Sequence, residues 1–197
     1  SHVTGVDVGA DLVERAVKAA AAKGLEGKTS FQPVESGPFP FEDTTFDVVF
    51  IKDVVCHIED KHAVFAEVGR VLKPGGRLLC ADFADGERVG EAATLYEDWI
   101  AAMQAYGLSF HFEKLNAYTD AYAAAGMGAV SVRDHTELSA AAAKREVDFV
   151  TGPDAGPLRE ALGEEKFAAR IAASTMRYKA LSSGGLNHVH MFATRGA

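Results

Sequence analysis

An aspartate and a histidine, Asp53 and His57, stand four residues apart in the segment "IKDVVCHIEDK". On a continuous helical turn, residues at this spacing share one face, so the carboxylate could orient the imidazole and stabilise its charged form. An imidazole changes charge near neutral pH and is suited to remove a proton from a small molecule. The spacing therefore predicts His57 as a general base with Asp53 as its partner. The alternative is a structural or surface histidine.

Two further carboxylates follow apolar segments that are typical of buried strands. Asp7 ends the first segment, 3–7, and Glu35 follows the second, 29–34. In open α/β sheets, ligands bind beyond the carboxyl ends of the strands. There Asp7 could accept hydrogen bonds from both hydroxyls of a ribose, and Glu35 could accept one from an adenine amino group. The alternatives are a helix cap for Asp7 and an ordinary loop acid for Glu35.

Short apolar stretches alternate with helical patterns along the chain, which predicts an open α/β sheet with right-handed crossovers. We expect a single domain over 1–197, with a helical cap at about 84–115 and a loop at "TGPDAGP". The predicted strands are 3–7, 29–34, 46–51, 77–82, 129–133 and 188–194. The predicted helices are 11–23, 61–72, 87–106, 116–125, 137–149 and 164–181.

The composition argues against several classes of function. A net charge of −8 disfavours a nucleic-acid partner and mildly favours cationic ligands, unless it serves solubility alone. No apolar run approaches the ~18 residues of a membrane span, so we expect no membrane partner. Cys56 and Cys80 lie in apolar runs, which predicts free buried thiols and a reducing, cytoplasmic location. The histidines have no metal-ligand spacing with nearby cysteines or acids, so we expect no metal.

The segments "FPFEDTTFDVVF" and "RVLKPGGRLLCADF", taken in order after "TGVDVG", resemble the class I S-adenosylmethionine-dependent methyltransferases. The resemblance covers roughly residues 3–83. It implies a Rossmann-like doubly wound sheet closed by an antiparallel last strand, which the strand at 188–194 would supply. It also implies S-adenosylmethionine as the methyl donor and S-adenosylhomocysteine as the product.

The same resemblance assigns roles to five residues near the donor. Asp7 would bind the ribose, Val8 would pack on the adenine, and Glu35 would lie near the adenine amino group. Ser36 would line the adenine pocket and Lys52 would lie near the methionine end. In the family a first strand and a Gly-rich loop precede these motifs, and both are absent from the given chain. We expect them upstream, the alternative being a degenerate protein that lost cofactor binding.

A narrower resemblance, to phosphoethanolamine N-methyltransferases, is carried by "IKDVVCHIEDK" and by scattered later pieces such as "LNAYTDAYAAAGM" and "HMFAT". It implies that the Asp53 and His57 pair is catalytic. Where that family grips phosphate with Tyr and Arg, this chain has Phe83, Leu108 and Phe110, none of which can donate a hydrogen bond to phosphate from its side chain.

We therefore expect an apolar acceptor pocket walled by Phe83, Leu108, Phe110 and Trp99, the last on the predicted helix 87–106. Arg88, Arg177 or Lys179 would be the alternative phosphate ligands. Trp99 has a second interpretation as part of a core stripe, besides that of a substrate lid.

Three functions stay open at this point. The first is methyl transfer to a small molecule, with an amine as the first choice of acceptor and an oxygen or carbon acceptor as the next. The second is a nicotinamide-dependent oxidoreductase, which an acid after the first strand also suits. The third is a non-catalytic binding protein. The sequence predicts neither the acceptor nor the oligomeric state.

Overall fold

A computed structural model of the chain describes residues 1–35, 37–104 and 109–197. The chain divides into two compact units, Ser1–Glu42 and Asp43–Ala197. Within the described residues the six strands hydrogen-bond as two sheets, one of two strands and one of four, rather than as the single open sheet that the alternation predicts. The α/β class itself is confirmed. A single domain over 1–197 stays a prediction.

The first unit is one strand–helix–strand repeat. It consists of β1 (Val3–Asp7), α1 (Ala10–Ala22) and β2 (Thr29–Pro33). The two strands are parallel, as a connection through a helix requires, and their register joins Val3 to Thr29 and Asp7 to Pro33. Gly5 leaves room for the ring of Phe31, because a Cβ atom at Gly5 would lie 2.6 Å from that ring.

The second unit holds the four-stranded sheet, in the order β3-β4-β6-β5. β3 and β4 are parallel, whereas β6 runs antiparallel to both of its neighbours, which confirms the predicted antiparallel last strand. The strands are β3 (Phe46–Lys52), β4 (Leu72–Asp85), β5 (Met127–Asp134) and β6 (Leu186–Arg195). The helices are α2 (Lys61–Val71), α3 (Glu91–Gln104), α4 (Leu115–Ala124), α5 (Thr136–Thr151), α6 (Gly156–Leu162) and α7 (Glu164–Ser182).

The core of this unit lies where β4 and β6 meet α2 and α4. Phe65 of α2 stacks edge-on against Tyr122 of α4, with ring centroids 4.4 Å apart. Cys56 and Cys80 are both buried and free, as predicted from their apolar surroundings. None of the helices in the described residues is long and apolar enough to cross a membrane.

Two local predictions are wrong at their edges. The loop expected at "TGPDAGP" contains a 3₁₀ turn, Pro153–Ala155, and the start of α6. Proline lacks an N–H, and the first turn of a helix leaves its N–H groups unbonded in any case, so proline is tolerated there. The strand expected at 77–82 begins at Leu72, because the Pro74–Gly76 turn is accommodated as a register shift inside β4. Gly75 takes a left-handed φ of 73° there.

Candidate active site

The segment between β3 and α2 carries the predicted catalytic pair and changes direction sharply at Asp53. The backbone of Asp53 has a φ of 52°, a left-handed conformation that aspartate tolerates better than most residues. The Asp53 N–H donates to the carbonyl of Ala81 on β4 at 2.9 Å. A one-turn 3₁₀ helix, Val55–His57, follows, and we call residues 54–58 the histidine turn.

Asp82 holds the N–H groups of the histidine turn from the neighbouring strand. Its side chain is 0% exposed, and its carboxylate accepts N–H bonds from Val54 at 3.1 Å, Val55 at 2.7 Å and Cys56 at 3.2 Å. A fourth bond comes from the N–H of Phe83 at 2.8 Å. A buried carboxylate needs such donors, so its place in the apolar run "LLCADF" was a signal for this role.

His57 is exposed, and its ring is oriented by backbone rather than by a carboxylate. The Nδ1 atom lies 2.7 Å from the carbonyl oxygen of Ser109. A carbonyl only accepts, so Nδ1 carries the proton in this bond, and in the neutral imidazole Nε2 then has the lone pair. The ring of Phe110 packs beside the imidazole, with centroids 4.5 Å apart. The imidazole is thus held in the tautomer that a base acting through Nε2 requires.

The predicted partnership of Asp53 with His57 is wrong. The Asp53 carboxylate instead bonds to Lys52 Nζ at 2.6 Å and lies 3.3 Å from His188 Nε2. A shared face would require a continuous helix through residues 53–57, and the left-handed backbone at Asp53 interrupts it. Burial raises the pKa of Asp53, but the hydrogen bonds from His188 and Lys52 outweigh this effect and leave that pKa below its ordinary value.

His188 is the partner that the sequence did not reveal. It lies on β6, is 8% exposed, and places its Nδ1 atom 2.8 Å from the hydroxyl of Ser139 on α5. Its ring also packs against Phe83, with centroids 4.7 Å apart. Since 135 residues separate His188 from Asp53, no local spacing pattern could have paired them.

Aromatic side chains gather behind His57. Phe110 lies 5.0 Å from Trp99 and 5.0 Å from Phe112 between ring centroids, and Phe112 lies 6.3 Å from Phe83. Three of the four predicted pocket walls, Phe83, Trp99 and Phe110, therefore belong to one cluster. Trp99 is only 3% exposed and belongs to the hydrophobic core, so its role as a pocket wall stays a prediction. The fourth, Leu108, lies outside the described residues.

Of the three basic residues that could bind a phosphate instead, two are already in ion pairs. Arg88 forms an ion pair with Asp85, and Arg177 forms one with Glu146, so both guanidinium groups already have carboxylate partners. Lys179 is exposed on α7. In the described part of the chain, no cluster of His, Cys, Asp or Glu side chains has the geometry to hold a metal ion.

The residues predicted to hold the adenosine end of the donor lie in the first unit. Asp7 ends β1, and its Oδ1 atom accepts the Gly9 N–H at 2.7 Å. Val8 follows with 74% of its surface exposed. Glu35 borders a depression of about 270 Å³ whose other lining residues include Val34 and Pro38. A carboxylate, an exposed apolar side chain and an acid beside a cavity are the chemistry that a nucleoside requires. Ser36 lies outside the described residues.

The chain has relatives of known activity. Its residues 1–80 match the family model described as a methyltransferase domain. It is 29% identical over 148 residues to phosphoethanolamine N-methyltransferase 3 of Arabidopsis thaliana, a match that covers 75% of this chain and 28% of that protein. The chain thus spans less than a third of this plant relative.

Solved structures share the fold at low sequence identity. Phosphoethanolamine N-methyltransferase 2 of Haemonchus contortus aligns with a TM-score of 0.86 at 18% identity, over 100% of this chain and 44% of that one. Geranyl diphosphate C-methyltransferase of Streptomyces coelicolor A3(2) aligns with a TM-score of 0.71 at 18% identity, over 99% and 63%. Residues 1–80 therefore match a methyltransferase domain, and the chain shares the fold of these methyltransferases of known structure.

Proposed function

We propose that this chain transfers a methyl group from S-adenosylmethionine to the nitrogen of a small amine, with His57 as the general base. The observation that carries the proposal is the hydrogen bond from His57 Nδ1 to the Ser109 carbonyl, which leaves the Nε2 lone pair available on an exposed ring. The N-methyltransferases among the relatives support nitrogen as the acceptor atom.

Three residues of the first unit are proposed to bind the donor. Asp7 would accept the ribose hydroxyls through its carboxylate, Val8 would pack on the adenine, and Glu35 would accept the adenine amino group. Lys52, on β3, is proposed to lie near the methionine end, as the family resemblance implies, with its ammonium already paired to Asp53. When bound, S-adenosylmethionine supplies an electrophilic methyl group on a sulfonium.

His57 would remove the proton that blocks the acceptor. An amine is mostly protonated near neutral pH and then has no lone pair to attack a methyl group. Transfer of that proton to His57 Nε2 frees the lone pair, which forms the new N–C bond as the C–S bond breaks and its electrons leave on sulfur. The imidazolium then returns the proton to water. Held by Ser109, the ring keeps its orientation throughout.

The aromatic cluster supports an apolar acceptor rather than a phosphorylated one. Phe110 contacts His57 directly, and neither Phe110 nor Phe83 can donate a hydrogen bond to phosphate from its side chain. Aromatic faces also attract alkylated ammonium groups by about 0.5–2 kcal/mol, depending on desolvation. We therefore expect small amines with apolar substituents to react faster than phosphoethanolamine.

The test is a methyl-transfer assay on the wild-type protein and on His57→Ala. We expect kcat to fall by ~10²–10⁴-fold, as when a general base is lost, while the affinity for S-adenosylhomocysteine stays unchanged.

His62→Ala is the matched control, because His62 is a nearby exposed histidine on α2. Full activity in His57→Ala would remove His57 from the chemistry. Faster turnover of phosphoethanolamine than of apolar amines would contradict the apolar acceptor. Methylation of only carbon or oxygen acceptors would contradict the proposal that the acceptor is an amine.

A further inference from the structure

A buried ammonium lies directly beneath the histidine turn. Lys61 is the first residue of α2, yet it is only 5% exposed, which is unusual for a lysine. Its Nζ atom donates to the carbonyls of Val55 at 2.9 Å, Ile58 at 2.5 Å and His111 at 2.5 Å. An ammonium has three N–H bonds, so all of its donors are used.

These three carbonyls belong to two separate segments of the chain. Val55 and Ile58 flank His57 on the histidine turn, and His111 lies two residues beyond Ser109, the residue whose carbonyl orients the imidazole. A backbone bond from the His111 N–H to the Cys56 carbonyl, at 2.7 Å, joins the same two segments. The ammonium therefore bridges the segment that carries the imidazole and the segment that orients it.

The opposite face of the histidine turn is held independently. The Asp82 carboxylate takes up its N–H groups, while Lys61 takes up its carbonyls, so the turn lies between two buried charges of opposite sign. Burial lowers the pKa of Lys61, and the Asp82 carboxylate opposes that effect. The face of Tyr118 closes the site, with Nζ 5.7 Å from the ring centroid.

We propose that Lys61 is a positioning residue, which fixes the distance between His57 and the Ser109 carbonyl and thereby keeps the imidazole in its Nδ1–H tautomer. The inference rests on the proposed function only in the consequence for catalysis. The tautomer itself is a property of the protein without substrate.

The experiment compares wild-type protein with Lys61→Met, which keeps the length of the side chain and removes the ammonium. Nitrogen NMR of the imidazoles reports the tautomer of His57, identified by the signal lost in His57→Ala. We expect the wild type to show one tautomer with Nδ1 protonated, and Lys61→Met to show a mixture. The kcat should fall ~10–100-fold, as for a catalytic group misplaced by about 1 Å, with S-adenosylhomocysteine affinity unchanged.

Two further variants make the result decisive. Lys114→Met is the control, because Lys114 Nζ also donates to a backbone carbonyl, that of Gly86, which lies outside the histidine turn. It should leave the tautomer of His57 unchanged. Lys61→Arg keeps the charge and should recover part of the single-tautomer signal. If Lys61→Met does not fold, Lys61→Leu, which also removes the ammonium, replaces it in the comparison.

The proposal would be overturned if a folded Lys61→Met protein showed the wild-type tautomer signals. It would also be overturned if Lys61→Arg and Lys61→Met both showed those signals together with wild-type kcat. A mixed tautomer in Lys61→Met combined with full activity in His57→Ala would leave the positioning role intact and refute the base. The two failures are therefore distinguishable.

Discussion

At the scale of single residues, the sequence singled out His57 but not the groups that orient its ring. His57 was identified by its type and its distance from Asp53, whereas the structure orients it through the Ser109 carbonyl. A backbone carbonyl is present at every position and leaves no mark in a sequence. Lys61 was equally hidden, because its partners are backbone carbonyl groups, whereas Asp82 was marked only by being a carboxylate within an apolar run.

The pairing of Asp53 with His188 predicts a specific titration. His188→Phe keeps an aromatic ring against Phe83 but removes the imidazole that hydrogen-bonds to Asp53. The pKa of Asp53 should therefore rise from its lowered value toward the ordinary 3.8. Carbon NMR of the Asp53 carboxyl as a function of pH measures this. His188→Gln retains an N–H donor and serves as the control, with a smaller rise.

The sign for stability follows from the same shift. A carboxyl whose pKa is lowered on folding stabilises the protein above its unfolded pKa and loses that contribution as the pH falls through the folded value. The difference in the free energy of unfolding between wild type and His188→Phe should therefore become smaller below about pH 4. A carboxyl titration that is identical in all three proteins would show that His188 does not act on Asp53.

At the scale of elements, the order of helices and strands was predictable, because periodicity and turn residues are local signals. Within the residues that the structure describes, six strands and six of the seven α-helices were expected near their observed positions. The pairing of the strands was harder to predict from the sequence. The division into two sheets depends on hydrogen bonds between segments far apart in the chain, which no local pattern specifies.

The packing of α2 on α4 predicts that Gly69→Ala destabilises the protein. In an open helix this change stabilises by up to about 1 kcal/mol, through helix propensity. At Gly69 a Cβ atom would lie 2.5 Å from the carbonyl oxygen of Ala125, a backbone atom that cannot move aside without shifting the end of α4. Overpacking of this kind costs roughly 1–3 kcal/mol, so the steric effect should prevail.

Urea denaturation of both proteins measures the difference. Gly156→Ala is the matched control, since Gly156 begins α6 and a Cβ atom there would meet nothing within 4 Å. It should be neutral or slightly stabilising. A Gly69→Ala protein as stable as the wild type would mean that α2 and α4 pack less closely than the structure indicates.

At the scale of the whole molecule, the likeness to methyltransferases was the most predictable feature and the identity of the acceptor was the least. The connector "KPGGRLLCADF" and the acids after β1 and β2 are short, ordered motifs that a sequence displays directly. The proposed acceptor pocket draws on side chains of β4, α3 and the segment before α4, and only the fold brings these aromatic rings together. A sequence also does not distinguish aromatic residues that line a substrate pocket from aromatic residues that are buried in the hydrophobic core.

Binding of the product should stabilise the whole protein, and Asp7 should carry much of this effect. A ligand that binds only the folded state adds about 2.7 kcal/mol at 100 times its Kd. In a domain of this size that corresponds to a rise in Tm of roughly 5–10 °C. Loss of hydrogen bonds to a charged carboxylate weakens binding by about 1.5–3 kcal/mol, so in Asp7→Ala most of the rise should disappear at the same concentration.

Thermal unfolding with and without S-adenosylhomocysteine tests this in both proteins. Asp11→Ala is the control, because Asp11 is an exposed acid in the first turn of α1 and has no proposed contact with the ligand. It should keep the full rise in Tm. Asp7 also accepts the Gly9 N–H, so Asp7→Ala will melt lower without ligand, and the comparison is between shifts rather than absolute temperatures. An undiminished shift in Asp7→Ala would show that the ribose is held by other residues.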